Sequence, residues 1–300
     1  MRALKIVCLW LLCGTVAWAQ TPAPPVSQSA TTLRVVATFS VLGDLVKNVG
    51  GDKVEVTVLV GPDGDAHTFE PTPKESIALV QAQVVFENGL HFEHWLDALY
   101  TASGSRASRV VTTDGIEPIT LGNEEDPHAW HDVSNAMLMA ERVRDGLIAA
   151  DPANAAYYKE GAEKYLDELA QLDHWIIDTL KDIPDNNRNL VTSHDTFGYF
   201  AKRYGFTVIG AALESATTEA ADPSAAQIAG IVEKIKSAGV KVVFTEDTRN
   251  PKLIESVAAE AGVKVAPHLY TDALGPYGSD GDTYIKMMRY NAKVLAESLK

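Results

Sequence analysis

The stretch LRVVATFSVLGDLVKNVGGDKVEVTVLV, residues 33–60, decides the fold. Its first seven residues form an apolar, β-branched run, the pattern of a buried strand. Residues 41–49 carry apolar side chains at helical spacing, and Gly50-Gly51 is a good C-terminal stop for that helix. Residues 54–60 then alternate as a second strand. Strand, helix and strand in so short a span call for parallel strands with a helix on one face.

The alternation continues outward. A polar, turn-rich loop at 61–73 leads to a short helix at 77–81, a strand at 84–87 and a helix at 92–100. Further on, strands at 190–192 and 206–211 flank a helix at 197–204. Helix 224–237, strand 240–245, a capped helix start at Asn250-Pro251, strand 263–266 and a closing helix at 283–299 follow. Between these two series lies a different pattern. Asp151-Pro152 supplies a carboxylate cap and a proline at the first helical position. From there Tyr158, Ala162, Tyr165, Leu169, Leu172, Ile176 and Leu180 recur at three- and four-residue steps. About thirty residues at roughly 1.5 Å each make a helix of about 45 Å. The chain is therefore predicted to be α/β: two lobes, each a parallel sheet flanked by helices, joined by a long rigid helix. The expected boundaries are 33–150, 151–184 and 185–300.

The N-terminus reads as an export leader. Arg2 and Lys5 precede an apolar stretch, and Ala17-Trp18-Ala19 gives the small-x-small pattern before a cut at Gln20. Residues 1–19 are thus expected to be removed, and the Pro/Ser/Thr/Ala-rich 20–32 to act as a flexible tether. The rival is a lipid anchor at Cys13, for which Leu12 is a poor preceding residue. Both cysteines of the chain, Cys8 and Cys13, fall inside the leader. The mature chain then offers neither disulfides nor thiolate ligands, so a metal would be held by histidine and carboxylate. The net charge of −14 becomes −16 once Arg2 and Lys5 are lost. So acidic a surface argues against nucleic acid as a partner, since phosphate contacts need lysine and arginine patches.

Four residues sit where strands hand over to loops. His67 lies in G-P-D-G-D-A-H-T-F-E-P-T-P, His128 in E-E-D-P-H-A-W-H-D, His194 in V-T-S-H-D-T-F and Asp272 in L-Y-T-D-A-L-G. In open α/β sheets, ligands bind off the carboxyl ends of strands. The wide gaps exclude a zinc finger, whose ligands come as close pairs. Taken one at a time, each histidine reads more readily as a polar loop residue or a hydrogen-bonded core residue than as a ligand. His131, three residues after His128, and Glu246, at the end of a strand, are candidates for orienting a ligand. His91, His94, His174 and His268 read as surface or structural positions.

The four motifs, in this order, resemble the metal-binding proteins of bacterial zinc and manganese ABC importers. The resemblance runs from about Leu33 to Lys300 and includes the closing G-D-T-Y-I-K-M-M-R-Y-N. It implies two lobes with one divalent metal between them, held by His67, His128, His194 and Asp272. It also implies a periplasmic, non-enzymatic monomer that delivers its metal to an ABC permease in the inner membrane. Manganese and iron members often carry Glu at the third position, where this chain has His194. Many zinc members carry a long His- and acid-rich loop, where this chain has only Asn123-Glu124-Glu125-Asp126. Three imidazoles and one carboxylate favour Zn2+, with Mn2+ or Fe2+ as the alternatives. A metallohydrolase would need an open coordination position and a base beside it; a surface adhesin would need an exposed aromatic patch.

Overall fold

The computed structural model describes residues 32–122, 124–213, 223–246 and 251–300; the expected leader, residues 20–31 of the tether and Asn250 lie outside them. The decisive stretch folds as read. Strand β1 (Leu33–Phe39) runs directly into helix α1 (Ser40–Gly50), and β2 (Val54–Val60) returns parallel to β1. Helix α2 (Pro73–Gln81) starts at Thr72, whose hydroxyl and N–H are both tied to the Glu75 carboxylate in a capping box. Strands β3 (Val84–Glu87) and β4 (Ser108–Val111) complete a parallel sheet of order β2-β1-β3-β4.

Two details differ from the sequence reading. Helix α3 spans Leu96–Ser103 rather than 92–100. Leu90 and His91 both adopt positive φ, and Glu93 turns back to accept the N–H groups of Asn88 and Gly89, which occupies the would-be first turn. Strand β4 carried no clear signal because, at the sheet edge, it is only four residues long and buries Val110 and Val111 only in part.

A short antiparallel pair, β5 (Thr120–Leu121) and β6 (Glu124–Glu125), precedes helix α4 (Val133–Ala150). Helix α5 (Ala155–Leu180) is 26 residues long, about 39 Å at 1.5 Å per residue. The expected carboxylate cap is not made: the Asp151 carboxylate accepts from the Asn154 amide and the Tyr158 hydroxyl, not from a backbone N–H, and the first turn, Pro152–Asn154, is 3-10 rather than α. The apolar stripe predicted for this helix, Tyr158 to Leu180, is buried against α1, α4 and the final helix. Gly161 marks the closest approach: a Cβ there would lie 2.4 Å from the Val49 carbonyl oxygen, so alanine would push α5 off α1.

The second half repeats the theme. Parallel strands β7 (Asn189–His194) and β8 (Thr207–Leu213) enclose helix α6 (Gly198–Tyr204). Helix α7 (Ala225–Ser237), strand β9 (Val242–Glu246), helix α8 (Lys252–Ala261), strand β10 (Lys264–Leu269) and helix α9 (Tyr284–Leu299) follow. Strand β9 pairs with β10 in parallel and lies beside β7. One large core runs from β1 through α5 to α9. A smaller one, built on Val191, Val243, Ile231, Ile235, Ile254 and Val257, fills the space under α7 and α8. Each half is thus a parallel α/β layer system, with α5 packed along the common core.

Candidate metal centre

The four residues singled out by their motifs come from four separate segments and meet at one point. His67 lies in the loop after β2. Its N–H donates to Asp65 Oδ1 (2.9 Å), the Trp95 indole holds the neighbouring Ala66 carbonyl (2.8 Å), and the Phe92 ring packs on the imidazole at 4.7 Å. His128 lies in the turn ahead of α4, and His194 is the last residue of β7. Asp272 follows β10 in a loop tied down on both sides. Trp130 Nε1 donates to the Thr271 carbonyl (3.0 Å), and the Leu274 N–H donates to Ser40 Oγ (2.8 Å).

The donor atoms form a compact set. His128 Nε2 is 3.3 Å from His67 Nε2, 3.4 Å from His194 Nε2 and 3.3 Å from Asp272 Oδ1. Asp272 Oδ2 is 3.3 Å from His194 Nε2 and 3.7 Å from His67 Nε2. Four ligands about 2.0–2.1 Å from a central ion at the corners of a tetrahedron stand about 3.3–3.4 Å apart. Four of these five distances match that figure, the His67–Asp272 distance is longer, and the whole donor set lies within 4.8 Å. His128, His194 and Asp272 are 0 % exposed and His67 is 1 % exposed, so the set is closed to solvent.

Two further carboxylates aim the imidazoles. Asp126 Oδ1 accepts both the N–H and the Nδ1 of His128 (2.9 and 2.7 Å). Glu246 Oε2 accepts from His194 Nδ1 at 2.5 Å, while its Oε1 takes the N–H groups of Ser193 and His194. Each bond fixes the tautomer that turns Nε2 toward the centre and raises its basicity. Gly198 permits the Asp126 arrangement, since a Cβ there would lie 2.5 Å from Asp126 Oδ2. Glu246 was a candidate for this role from sequence. Asp126 was missed; the signal was D-P-H, which puts a carboxylate two residues ahead of a histidine.

Three buried carboxyl groups thus surround three buried imidazoles, a formal excess of negative charge that a dry interior tolerates only with compensation. Without a metal the compensation is protons. Burial pushes the pKa of His194 down, but the Glu246 and Asp272 charges outweigh it and hold it well above the usual histidine range. His128 is raised too, Asp126 and Asp272 together exceeding the opposing effect of burial. Burial alone would raise Asp272; the charge on His194 and the bonds from both imidazoles hold it well below the ordinary carboxylate value. A divalent cation supplies the same compensation in one step.

His131 is not among the converging residues: it is buried and stacked on Phe197 at 4.8 Å. Burial, then the charge on His128, depresses its pKa to about 3, which keeps it neutral. His91, His94 and His174 are exposed, and His268 is half-buried between Tyr270 and Tyr290.

Replacing Glu246 by Gln should lower metal affinity by about 10- to 100-fold, the usual effect of removing a carboxylate behind a ligand imidazole. Asp126→Asn should act similarly through His128. Titration against a chelating dye reads both; affinities within two-fold of wild type would show that neither carboxylate tunes its ligand.

Comparison with known proteins places the chain. The family described as "Zinc-uptake complex component A periplasmic" matches residues 35–298. The chain belongs to this family. It is an extracytoplasmic, metal-binding substrate protein of the zinc and manganese ABC transporters and not an enzyme. Among relatives, the manganese-binding lipoprotein MntA of Halalkalibacterium halodurans is 36% identical over 274 residues, covering 91% of this chain and 90% of that one. The manganese ABC transporter substrate-binding lipoprotein PsaA of Streptococcus pneumoniae is 32% identical, covering 90% of each. The Mn-bound periplasmic metal-binding protein of Candidatus Liberibacter asiaticus superposes with a TM-score of 0.81 at 27% identity, over 90% of this chain and 100% of that one. The periplasmic zinc-binding protein TroA of Treponema pallidum gives 0.83 at 25% identity, over 89% and 99%.

Proposed function

We propose that this family member captures Zn2+ outside the cytoplasm with His67, His128, His194 and Asp272, then delivers it to an ABC permease in the inner membrane. The observation that carries this reading is the convergence of four buried donors within 4.8 Å of one another, several of them at the 3.3–3.4 Å spacing of a small four-coordinate site. Imidazole-rich, four-coordinate sites suit zinc, whereas manganese prefers more oxygen donors than one aspartate provides. Residues 33–150 and 185–300 act as two lobes joined by 151–184, and the stiffness of the connecting helix favours small relative movements. Cleavage after residue 19 leaves the tether 20–32 and a soluble periplasmic monomer.

The manganese names of MntA and PsaA favour a second reading, in which the same four residues carry Mn2+. The family's description and TroA point to zinc. Native mass spectrometry of the exported protein, prepared without chelators from cells supplied with both metals, decides between them. The expected species is one chain beginning at Gln20 with one zinc ion. Bound manganese would overturn the zinc assignment, a lipid-bearing chain starting at Cys13 the soluble form, and a dimer mass the monomer.

A further inference from the structure

We propose that Trp130 is the positioning residue for Asp272, setting the carboxylate in place through its indole N–H. The inference rests on the metal-binding reading above and deepens it. His128 and His194 are each aimed by a buried carboxylate, but Asp272 has no such support. Apart from the imidazoles that converge on it, no group among the described residues hydrogen-bonds to either of its oxygens. Its position therefore depends on the backbone around it, residues 271–274.

Trp130 controls that backbone from the other ligand-bearing turn. It stands two residues after His128 and is fully buried, its ring packed on Phe39 (4.9 Å), Phe92 (5.1 Å) and His128 (5.4 Å). From there its Nε1 donates across 141 positions of sequence to the carbonyl of Thr271, the residue immediately before Asp272. The carbonyl oxygen of Trp130 itself accepts the Tyr284 hydroxyl at 2.6 Å, at the far end of the Asp272 loop. One side chain thus couples the turn bearing His128 to the loop bearing Asp272. Apolar packing alone explains a large ring at position 130, but not the N–H. Losing that donor loosens the 271–272 peptide, and a rotation of roughly ten degrees there swings the carboxylate by about half an ångström, beyond the ~0.2 Å a metal bond tolerates.

Trp130→Phe keeps an aromatic ring but removes the donor together with the five-membered half of the indole. Cobalt(II) serves as the spectroscopic probe, since its visible absorption reports whether four ligands stand in tetrahedral array. The expected result is a weaker, shifted cobalt spectrum and a zinc affinity lowered about 10-fold, comparable with the loss of an outer hydrogen bond. Because Trp130 is fully buried, the phenylalanine variant should also melt lower, so its affinity is compared with that of an isostere that fills the same space. Should the phenylalanine variant fail to fold, the isostere with a benzothiophene ring, sulfur replacing the N–H, preserves the shape and tests the bond alone. A folded variant with the wild-type cobalt spectrum and zinc affinity overturns the role of Trp130. Wild-type protein that bound neither cobalt nor zinc would overturn the metal reading and this inference together.

Discussion

Asp272→Ala should reduce zinc affinity by more than 100-fold, beyond the range of about 10- to 100-fold seen when only an outer partner of a ligand is lost. Asp272 is the only anion among the four converging donors. Its removal leaves three imidazoles whose Nε2 atoms point at one another, two pairs of them 3.3 and 3.4 Å apart. Two carboxylates remain, but each is already engaged on the far side of an imidazole. Asp272→Asn separates charge from shape: it retains an oxygen donor yet should still lose most of the affinity, because the missing charge is what balances the ion. Isothermal titration calorimetry reads both variants. Unchanged affinity in the alanine variant would remove Asp272 from the ligand set.

The second large effect is on stability. A metal that binds the folded centre and not the dispersed ligands of an unfolded chain, as proposed for zinc, should stabilise by about 4 kcal/mol at a thousandfold excess over Kd. For a chain of this size that corresponds to a rise in melting temperature of the order of 10 °C over chelator-treated protein. The gap should widen as pH rises. In the metal-free protein His128 and His194 have pKa values raised above the unfolded value of 6.5. Their contribution to stability is fully present below that value and is lost as pH climbs through the raised ones. The metal-bound protein behaves in the opposite sense, since acid returns protons to the imidazoles and competes with the ion. Calorimetric scans with and without zinc from pH 5.5 to 8.5 would show the two curves diverging upward; parallel curves would mean that protons and metal do not share these sites.

Much of this was legible in the chain because periodicity and ligand chemistry act locally. Strands β1 and β3 and the stripe of α5 were readable because each buries a whole face, and β2 because its apolar residues alternate with polar ones. Strand β4 was not, because an edge strand with two half-buried residues leaves almost no pattern. The four converging residues were readable through their motifs, and Glu246 as a carboxylate ending a strand. Asp126 was overlooked because it sits in a run of acids, where Glu124 and Glu125 are exposed and only Asp126 turns inward. The bond from Trp130 to Thr271 was beyond sequence reasoning altogether, since nothing local links residues 141 positions apart.

The closure of the centre also has a consequence in time. With every converging side chain at 0–1 % exposure, no outside ligand can reach the ion while the fold is shut. Removal by a chelator must then wait for the protein to open, and its rate levels off as chelator is added. That plateau is the opening rate of the fold itself. A permease that takes the ion faster than the plateau must do so by prising the protein open, so the transporter, rather than simple dissociation, would determine when the cargo leaves.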